Sequence, residues 1–392
     1  MKRCTLIFLL ALTVRISFLI LAPARPLYLD DAISWDSVAW NFLNGRGFTE
    51  IDGKPTSLRP PIYPIFLAGI YFLFNRNYFF VYLIQSILGA LSCVLIFLLA
   101  NKFFDENKSF LVSLGCVFWP PLIVYTGIIA TETLYIFLLL LFFNLLYYLR
   151  VEFTNKYVIL GILLGIINLT RSTIVFYPIF LVIFMLLTNK KDIPKILLMF
   201  GISLVCISPW TIRNYVVFKR FLLINTAAGE LFWSGTYIPW DGICKHGRDE
   251  NFYKLFNLEN PVDNDRKMFI EGLKNIKKNP IGFLKLSVKK FFRFWFKPVG
   301  QELTYKKYKL LGILLYIPHG LLVILCWFYL IKFYKKEFFY IVVLFVYFTV
   351  MHNLLAPIPR YRLPIEPFVV MFAIACLVEI FRLSIIYDKK IF

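Results

Sequence analysis

The sequence is poor in the side chains that bind metals or form disulfides. Only three of its 392 residues are histidine and seven are cysteine. Six of the cysteines lie within apolar runs, at Cys4, Cys93, Cys116, Cys206, Cys326 and Cys376. Only Cys244 falls in a long loop, so the sequence indicates neither a disulfide framework nor a zinc site. A bound metal would have to use oxygen ligands, as a weakly held divalent cation does.

Charged residues are also scarce, and the acidic ones most of all. They make up 17% of the chain, with 23 Asp and Glu against 43 Lys and Arg, whereas 59% of residues are hydrophobic and the mean hydropathy is +0.71. A soluble chain of this length would not contain so many uninterrupted apolar runs. The sequence therefore predicts an all-α, polytopic membrane protein. Its net charge of +20 is better explained by basic connectors and one basic extramembrane segment than by a nucleic-acid partner.

Apolar runs predict ten transmembrane helices. They are residues 5–21, 78–100, 109–125, 132–149, 157–169, 173–188, 195–211, 310–331, 338–354 and 363–381. The first has the basic start of a signal peptide but no small-residue cleavage site, and we interpret it as a retained anchor. Arg15 lies inside it. That guanidinium either snorkels to the outer surface or lines an internal cavity, because an intramembrane arginine needs water or protein around it.

Two short segments determine the predicted topology. Residues 61–74 are too few for a comfortable span, which needs about 20 residues, and suit an interfacial or re-entrant helix. If they do not cross, every short basic connector falls on the side of the N-terminus, as the positive-inside rule requires, and both termini are cytoplasmic. Residues 157–188 would measure about 48 Å as one helix, too long for a bilayer of about 30 Å, so two short spans hinged at Arg171 fit better.

These spans divide the chain into three parts. Residues 1–218 form a membrane core whose first outer loop is 22–77, residues 219–309 form a basic extracytoplasmic insertion, and residues 310–392 form the C-terminal transmembrane helices. Within the insertion, residues 265–298 combine lysines with apolar residues at helical spacing. This pattern is typical of amphipathic helices that lie on anionic lipid. A solvated helical domain that packs on itself would show the same pattern.

The first outer loop contains the most unusual stretch of the sequence, residues 29–64. Five carboxylates lie in it, at Asp30, Asp31, Asp36, Glu50 and Asp52, in a chain that is otherwise basic. From Asp31 onward apolar residues recur at helical spacing as far as Gly45, which predicts a short amphipathic helix on the membrane surface. Asp30 or Asp31 then either caps this helix, as Asp commonly does, or has a chemical role.

The predicted topology brings the other unusual polar residues to the same outer face. Besides Asp31 they are Arg59, Glu132, Arg171, Arg213, Arg360 and Arg362. Several arginines beside two carboxylates at one membrane depth indicate a phosphate site with an acid–base group nearby. The alternative is that these arginines pair with lipid head groups and with one another.

Six stretches carry a family resemblance over nearly the whole chain. In order, they are DAISWDSVAWNFLNGRGF, SLRPPIYPIFLAGIY, ATETLYIFLL, LTRSTIVFYP, SPWTIRNYVVF and RYRLPIEP. In these the chain resembles the GT-C class of polyprenyl-phosphate-sugar glycosyltransferases. Within that class it is similar to the bacterial relatives of the dolichyl-phosphate-mannose–protein mannosyltransferases and of the lipid A aminoarabinose transferase. The resemblance implies a multi-pass protein of the bacterial inner membrane, with its active site on the extracytoplasmic face.

The resemblance also implies roles for residues of the first outer loop. Asp31 matches the family's catalytic aspartate, four residues before an aromatic residue that is usually Tyr and here is Trp35. Asp30 is the competing assignment, but the residue four positions after it is not aromatic. Glu132 matches a second acidic residue of the outer face. Trp35 and Asp30 belong to the loop that would meet the acceptor.

The implied reaction transfers a sugar from a polyprenyl monophosphate to an extracytoplasmic lipid, glycan or protein. The phosphate leaving group needs positive charge in a low-dielectric cavity. The arginines that would supply it are Arg59, Arg171, Arg213, Arg360 and Arg362, of which the last two match the stretch near which the family holds the lipid phosphate.

Asp31 would accept the proton of the acceptor hydroxyl in one inverting displacement. Glu132 would orient a sugar or, with Asp31, hold a divalent cation. A transporter or flippase of lipid-linked saccharides is the alternative, although the sequence shows no matched halves.

Overall fold

The computed structural model describes residues 2–21, 30–150, 153–188, 190–244, 256, 258–299 and 309–391. Within these residues the chain is helical and forms no β-strand, which confirms the predicted all-α class. The first ten helices are α1 (Lys2–Leu21), α2 (Asp30–Leu43), α3 (Ile62–Phe74), α4 (Tyr78–Asn101), α5 (Glu106–Phe118), α6 (Pro120–Val124), α7 (Glu132–Tyr148), α8 (Phe153–Thr170), α9 (Tyr177–Thr188) and α10 (Ile193–Phe218). Six more follow, namely α11 (Ala228–Thr236), α12 (Pro261–Lys278), α13 (Pro280–Phe296), α14 (Lys309–Lys332), α15 (Phe339–Leu354) and α16 (Glu366–Ile391).

Among the described helices, five are long and apolar enough to cross a membrane singly. They are Lys2–Leu21, Tyr78–Asn101, Lys190–Phe218, Lys336–Leu354 and Pro359–Phe381. A sixth span forms if α5 and α6, which meet at a bend, are counted together. Shorter apolar helices accompany them at Ile62–Phe74, Glu132–Tyr148, Thr154–Thr170, Ser172–Thr188 and Tyr316–Lys332. The multi-pass architecture is thus confirmed, and the number of ten spans stays a prediction.

Side-chain contacts show that successive long helices run alternately between two ends of the bundle. Arg3 at the start of α1 donates to Asn107 at the start of α5, with 2.8 Å between Nη2 and Oδ1. At the other end of α1, Phe18 and Leu19 pack beside Gly127. Because a short turn joins the end of α4 to the start of α5, α4 ends where α1 begins, and so α4 begins at this second end. Helix α7 also begins there, since Glu132 follows Gly127 closely in the chain. We call this second end the cluster end, for the charged residues described below.

The short helix α3 begins and ends at the cluster end. Arg59, just before it, contacts Asp31 at the start of α2. Phe74 at its last residue stacks on Phe80 at the start of α4, with ring centroids 3.9 Å apart. Both ends of α3 therefore lie on one side of the bundle, which supports the prediction that residues 61–74 do not cross.

Two apolar runs of the sequence are interrupted in the structure, one as expected and one not. The hinge at Arg171 is confirmed: α8 ends at Thr170, Arg171 is extended, and a 3-10 turn precedes α9. By contrast, the predicted span 109–125 contains a break that the sequence did not predict. The chain bends by 59° between α5 and α6, because Pro120 and Pro121 lack the amide hydrogens that would continue the helix.

The insertion between α10 and α14 has a small core of its own and rests on the membrane bundle. Trp233, Trp240, Phe256 and Met268 form that core. On one face of α13, apolar side chains remain exposed at Ile281, Leu284, Val288 and Phe292. The insertion therefore packs on itself and still presents the apolar face expected of a lipid-facing helix.

Candidate active site

Five charged residues from distant parts of the chain form one network at the cluster end. They are Asp31, Arg59, Glu132, Arg171 and Arg360, and we call them the charged cluster. Arg360 Nη1 donates to Asp31 Oδ2 (2.8 Å), while its Nη2 donates to Glu132 Oε2 (3.1 Å) and its Nε to Glu132 Oε1. Arg59 Nη2 donates to Asp31 Oδ1 (3.1 Å), and Arg171 Nη1 to Glu132 Oε1 (2.9 Å).

Each member of the charged cluster lies where a helix begins or breaks. Asp31 is in the first turn of α2, and Glu132 is the first residue of α7. Arg171 occupies the extended break after α8, and Arg360 lies in the 3-10 segment Pro359–Ile365. Arg59 precedes α3. Side chains at such positions can project past the helix ends, which is why five separate segments reach one point.

The two carboxylates differ sharply in accessibility. The side chain of Glu132 is fully buried, whereas 43% of the Asp31 side chain is exposed. All three arginines are mostly covered. Asp31 is therefore the acidic group of the cluster that a substrate can touch, and Glu132 is an internal anchor for Arg360 and Arg171.

Asp31 does not serve chiefly as a helix cap, since both of its oxygens accept from guanidinium groups. Burial raises the pKa of its carboxyl, but the positive charges of Arg59 and Arg360 more than offset this, and the pKa lies below its usual value. The carboxylate is consequently ionised at neutral pH. Because three guanidiniums face two carboxylates, the charged cluster has one positive charge in excess.

Aromatic rings hold the three arginines in place. The Arg59 guanidinium lies 4.7 Å from the ring centroid of Trp35, Arg171 lies 4.9 Å from Tyr361, and Arg360 lies 5.9 Å from Tyr125. Trp35 is itself buried. The Trp35 ring packs against the Arg59 guanidinium. The sequence instead predicted that Trp35 belongs to a loop that meets the acceptor. The side chain of Asp30, the other residue of that prediction, lies outside the described residues.

Glu50 supports the cluster and was not singled out by sequence. Its two carboxylate oxygens accept from Ser34 Oγ and Thr56 Oγ1, each at 2.6 Å. Ser34 Oγ in turn accepts from Arg59 Nε at 2.7 Å. The sequence marks Glu50 only as one carboxylate among five, because nothing in its spacing reveals that the hairpin after α2 folds back onto Ser34.

Arg213 lies beside the charged cluster but does not join it. Its guanidinium donates to the carbonyl oxygens of Thr56 (2.9 Å) and Phe48 (3.1 Å) and stacks over Trp210. Arg213 therefore fastens the hairpin that contains Glu50 to the end of α10. This contact differs from the predicted phosphate-binding role.

Arg362 is directed away from the cluster, which also differs from its predicted role. It is fully buried, and its Nε donates to Glu366 Oε1 at 2.7 Å. Its other nitrogens donate to the carbonyl oxygens of Phe294, Trp295 and Lys297 at the end of α13. Those helix-end carbonyls need donors, so Arg362 joins the insertion to α16.

The arrangement does not form a cation site. Among the described residues, no three His, Cys, Asp or Glu side chains converge. Asp31 and Glu132, the pair predicted as oxygen ligands, are bridged by the Arg360 guanidinium. A positive group already occupies the position between them.

Comparison with known families finds a match over part of the chain. A family profile described as dolichyl-phosphate-mannose-protein mannosyltransferase matches residues 58–212. This segment includes Arg59, Glu132 and Arg171 of the charged cluster. Comparison with curated protein sequences gives no significant match.

The fold of the chain is similar to that of several solved membrane proteins. The chain is similar to the archaeal oligosaccharyltransferase AglB from Archaeoglobus fulgidus in complex with an inhibitory peptide and a dolichol-phosphate, with 13% identity, a TM-score of 0.57, and coverage of 98% of this chain and 51% of that one. It is similar to the oligosaccharyltransferase from the same organism in complex with Zn and sulfate, with 12% identity, a TM-score of 0.55 and coverage of 98% and 49%. ArnT from Cupriavidus metallidurans bound to undecaprenyl phosphate is 12% identical, with a TM-score of 0.48 and coverage of 93% of this chain and 77% of that one.

The described chain spans about half the length of the archaeal oligosaccharyltransferase. At 12–13% identity the likeness establishes the fold alone. That fold is the GT-C fold of multi-pass membrane glycosyltransferases, as the sequence motifs predicted.

Proposed function

We propose that this protein is an inverting glycosyltransferase that moves a sugar from a polyprenyl-phosphate donor to an extracytoplasmic acceptor. The observation that carries the proposal is Asp31, an accessible carboxylate paired with two guanidiniums at one end of a GT-C bundle. The matching family profile and the dolichol-phosphate bound to AglB support the same class of donor.

The arginines of the charged cluster would bind the donor phosphate. Arg59, Arg171 and Arg360 are fixed by aromatic rings and carboxylates, so they are oriented before the substrate arrives. Preoriented charges in a low-dielectric site stabilise an anion that forms during a reaction more strongly than mobile ones. The leaving polyprenyl phosphate is itself a stable anion and needs no general acid.

Asp31 would act as the general base. The acceptor oxygen forms a bond to the anomeric carbon, the bond from that carbon to the phosphate oxygen breaks, and the acceptor proton moves to Asp31. A single displacement of this kind inverts the anomeric carbon. Glu132, fully buried, would position Arg360 and Arg171 without touching the reacting atoms.

The donor would also activate its own base. In the free protein the positive charges of Arg59 and Arg360 lower the pKa of Asp31, which makes the carboxylate a weak proton acceptor. The phosphodiester of the bound donor, a monoanion, competes for the charge of the same arginines and adds a negative charge beside Asp31. Both effects raise the pKa of Asp31, so its basicity would increase when the donor is bound.

An extracytoplasmic location of the charged cluster is supported by the connectors at the opposite end of the bundle. These carry Lys102, Arg150, Lys190, Lys332 and Lys335. Short cytoplasmic loops are enriched in Lys and Arg. We therefore place the cluster end outside and infer the inner membrane of a bacterium as its location.

Donor cleavage tests the proposal. Purified protein in liposomes would be incubated with polyprenyl-phosphate sugars and a membrane extract as a source of acceptors. The proposal predicts free polyprenyl phosphate in amounts equal to the glycosylated product, with the anomeric configuration inverted. If the donor crosses the liposome bilayer intact and no free polyprenyl phosphate forms, the protein is a flippase and the proposal fails.

A further inference from the structure

One face of α13 carries four large apolar side chains that remain exposed. They recur at intervals of three and four residues, so they lie on one side of the helix. These residues are Ile281, Leu284, Val288 and Phe292, which are 69%, 67%, 54% and 56% exposed. We call them the apolar stripe. A contiguous exposed apolar surface commonly marks a contact with a membrane or with another protein.

The opposite side of α13 is already bound to protein. Leu286, Lys290 and Phe294 recur every four residues on that side and are buried. Lys290 Nζ donates to the carbonyl oxygen of Gly235 in α11 at 2.7 Å. These contacts fix the rotation of α13 about its own axis. The apolar stripe therefore stays turned away from the rest of the insertion.

Lysines border the apolar stripe, and α13 contains no acidic residue. Lys285 comes four residues after Ile281 and three before Val288, so it lies directly beside the stripe. Lys277 and Lys278 end α12, just before the first residue of the stripe. All three lysines are exposed, and none of them forms an ion pair within the described part of the chain. The charge beside the stripe therefore suits a negatively charged surface.

The C-terminal end of α13 is held at membrane depth. Trp295 Nε1 donates to Thr349 Oγ1 at 3.1 Å. Thr349 belongs to α15, whose segment Lys336–Leu354 is long and apolar enough to cross a membrane. It lies five residues before the end of that helix, which is about 7 Å inside the cluster end at 1.5 Å per residue. One end of α13 is thus anchored where the bundle meets the bilayer surface.

From this anchor α13 either lies along the bilayer or projects into water. A projecting helix would leave four large apolar side chains in water, at a cost that scales with their exposed area. A helix along the bilayer buries those side chains among the acyl chains. Its flanking lysines then reach the phosphate groups, because long basic side chains extend toward the head groups. The exposed apolar residues and the free lysines both favour the second arrangement.

We propose that α13 lies along the bilayer surface at the cluster end and docks the insertion on anionic phospholipid. The apolar stripe enters the edge of the acyl-chain region, while Lys277, Lys278 and Lys285 contact negatively charged head groups. This surface is separate from the charged cluster. No transfer reaction is required, so the proposal stands or falls independently of the glycosyltransferase activity.

Photocrosslinking to lipid tests this contact. Benzoylphenylalanine, which reacts with nearby C–H bonds on irradiation, would be incorporated in place of Ile281. That residue lies 14 positions before the anchored Trp295, about 21 Å along the helix, so only a helix that follows the bilayer brings it to lipid. Lys274 in α12, which is 65% exposed and paired with Glu271, is the matched control position.

The full chain would be reconstituted in nanodiscs that contain phosphatidylglycerol and phosphatidylcholine in equal amounts, and adducts would be counted by mass spectrometry. A second protein would combine Lys277→Gln, Lys278→Gln and Lys285→Gln with the same photoreactive residue at position 281. These three lysines are exposed and unpaired, so the protein should fold normally. Thermal unfolding in the same nanodiscs checks this.

We expect phospholipid adducts at position 281 and few at position 274. Phosphatidylglycerol adducts should exceed phosphatidylcholine adducts roughly fivefold or more, since each lysine near an anionic surface favours it by about that factor. In the triple glutamine variant this ratio should fall toward one, while the total number of adducts stays high because the apolar stripe is intact.

Three results would overturn the proposal. If position 281 gives no more lipid adducts than position 274, α13 projects into water. If position 281 crosslinks instead to a second copy of the chain, the apolar stripe is a protein interface. If the triple glutamine variant keeps the full preference for phosphatidylglycerol, the three lysines do not select anionic lipid.

Discussion

At the scale of single residues, the direction of a side chain separates two arginines that the sequence treats alike. Arg360 and Arg362 lie two positions apart in one motif, yet Arg360 reaches Asp31 and Glu132 while Arg362 reaches Glu366. The reason is the 3-10 conformation of this segment. With three residues per turn, positions two apart point in different directions. The sequence placed the two arginines between two predicted spans and could not supply that geometry.

Alanine substitutions should therefore affect different properties at these two positions. Arg360→Ala removes a charge that faces the proposed phosphate, so donor affinity should fall roughly tenfold to a hundredfold. Arg362→Ala leaves Glu366 buried without its positively charged partner, a change that costs about 3–5 kcal/mol. It should lower the melting temperature and the yield of folded protein. Equal loss of donor affinity in both variants, at unchanged stability, would contradict this assignment.

The low pKa of Asp31 gives a second prediction at this scale. A general base is active only when deprotonated, so activity is lost as the pH falls through its pKa. In the free enzyme that pKa lies below the usual value of about 3.9. The bound donor phosphate should raise it. Since kcat/KM reports the free enzyme and kcat the complex, the acid limb of kcat should lie at higher pH. Coincident limbs would show that the phosphate does not affect Asp31.

At the scale of elements, close packing of α8 on α10 sets the positions of two arginines. Gly161 and Gly165 face α10 so closely that a Cβ at position 165 would lie 2.5 Å from Cys206 Cβ. Small residues four apart commonly allow membrane helices to approach in this way. Arg171 follows the end of α8 and Arg213 is near the end of α10, so this contact fixes the spacing between them.

Widening this contact should destabilise the protein and disturb the cluster. Gly165→Val adds three carbons where there is no space, and overpacking of this kind costs about 1–3 kcal/mol. We expect a lower melting temperature, measured in detergent, and reduced donor binding through displacement of Arg171. Gly201→Val on α10, in open space, should change neither. Equal effects of the two substitutions would mean that the α8–α10 contact does not determine the arginine positions.

The sequence predicted best those elements that depend only on neighbouring residues, such as the length of an apolar run. The break at Arg171 follows from the length of an apolar run compared with a bilayer, and it is confirmed. The bend before Pro120 was missed because the run of apolar residues continues through it. Proline is compatible with the first turn of a helix, so a proline pair in an apolar run also fits the start of a new helix, and here it marks one.

At the scale of the whole molecule, composition and connector charges predicted a multi-pass bundle and the gathering of polar residues at one end. They could not predict which residues pair. Asp31 and Arg360 are separated by 329 positions and Arg59 and Asp31 by 28. Such contacts depend on how far each helix extends and where it bends, which a single sequence does not specify. The sequence also could not predict the contacts of Glu50, because they form only when the hairpin after α2 folds back onto Ser34.

The orientation of the bundle is the whole-molecule prediction. A reporter fused after Asn107, at the end of the bundle opposite the cluster, should behave as cytoplasmic. One fused at Gly242 in the insertion should behave as extracytoplasmic, because short basic connectors remain inside. Alkaline phosphatase and fluorescent-protein fusions at the two positions would measure this. An extracytoplasmic signal at Asn107 would invert the molecule and place the charged cluster inside the cell.

The central claim is that Asp31 is the general base, and isosteric substitution tests it most directly. Asp31→Asn removes the basic group but adds no bulk, and it leaves Arg59 and Arg360 free to bind phosphate. Asp52→Asn, at an exposed carboxylate of the same loop that pairs with Lys54, is the matched control. Asp30→Asn tests the competing assignment.

The measurement is sugar transfer per folded protein, together with donor affinity, in these three variants. The account predicts that Asp31→Asn lowers turnover by about two to four orders of magnitude, the usual contribution of a positioned base, with donor binding unchanged or tighter. Asp30→Asn and Asp52→Asn should retain most of the activity. Near-normal turnover in Asp31→Asn would contradict the account and leave this residue with only a structural role.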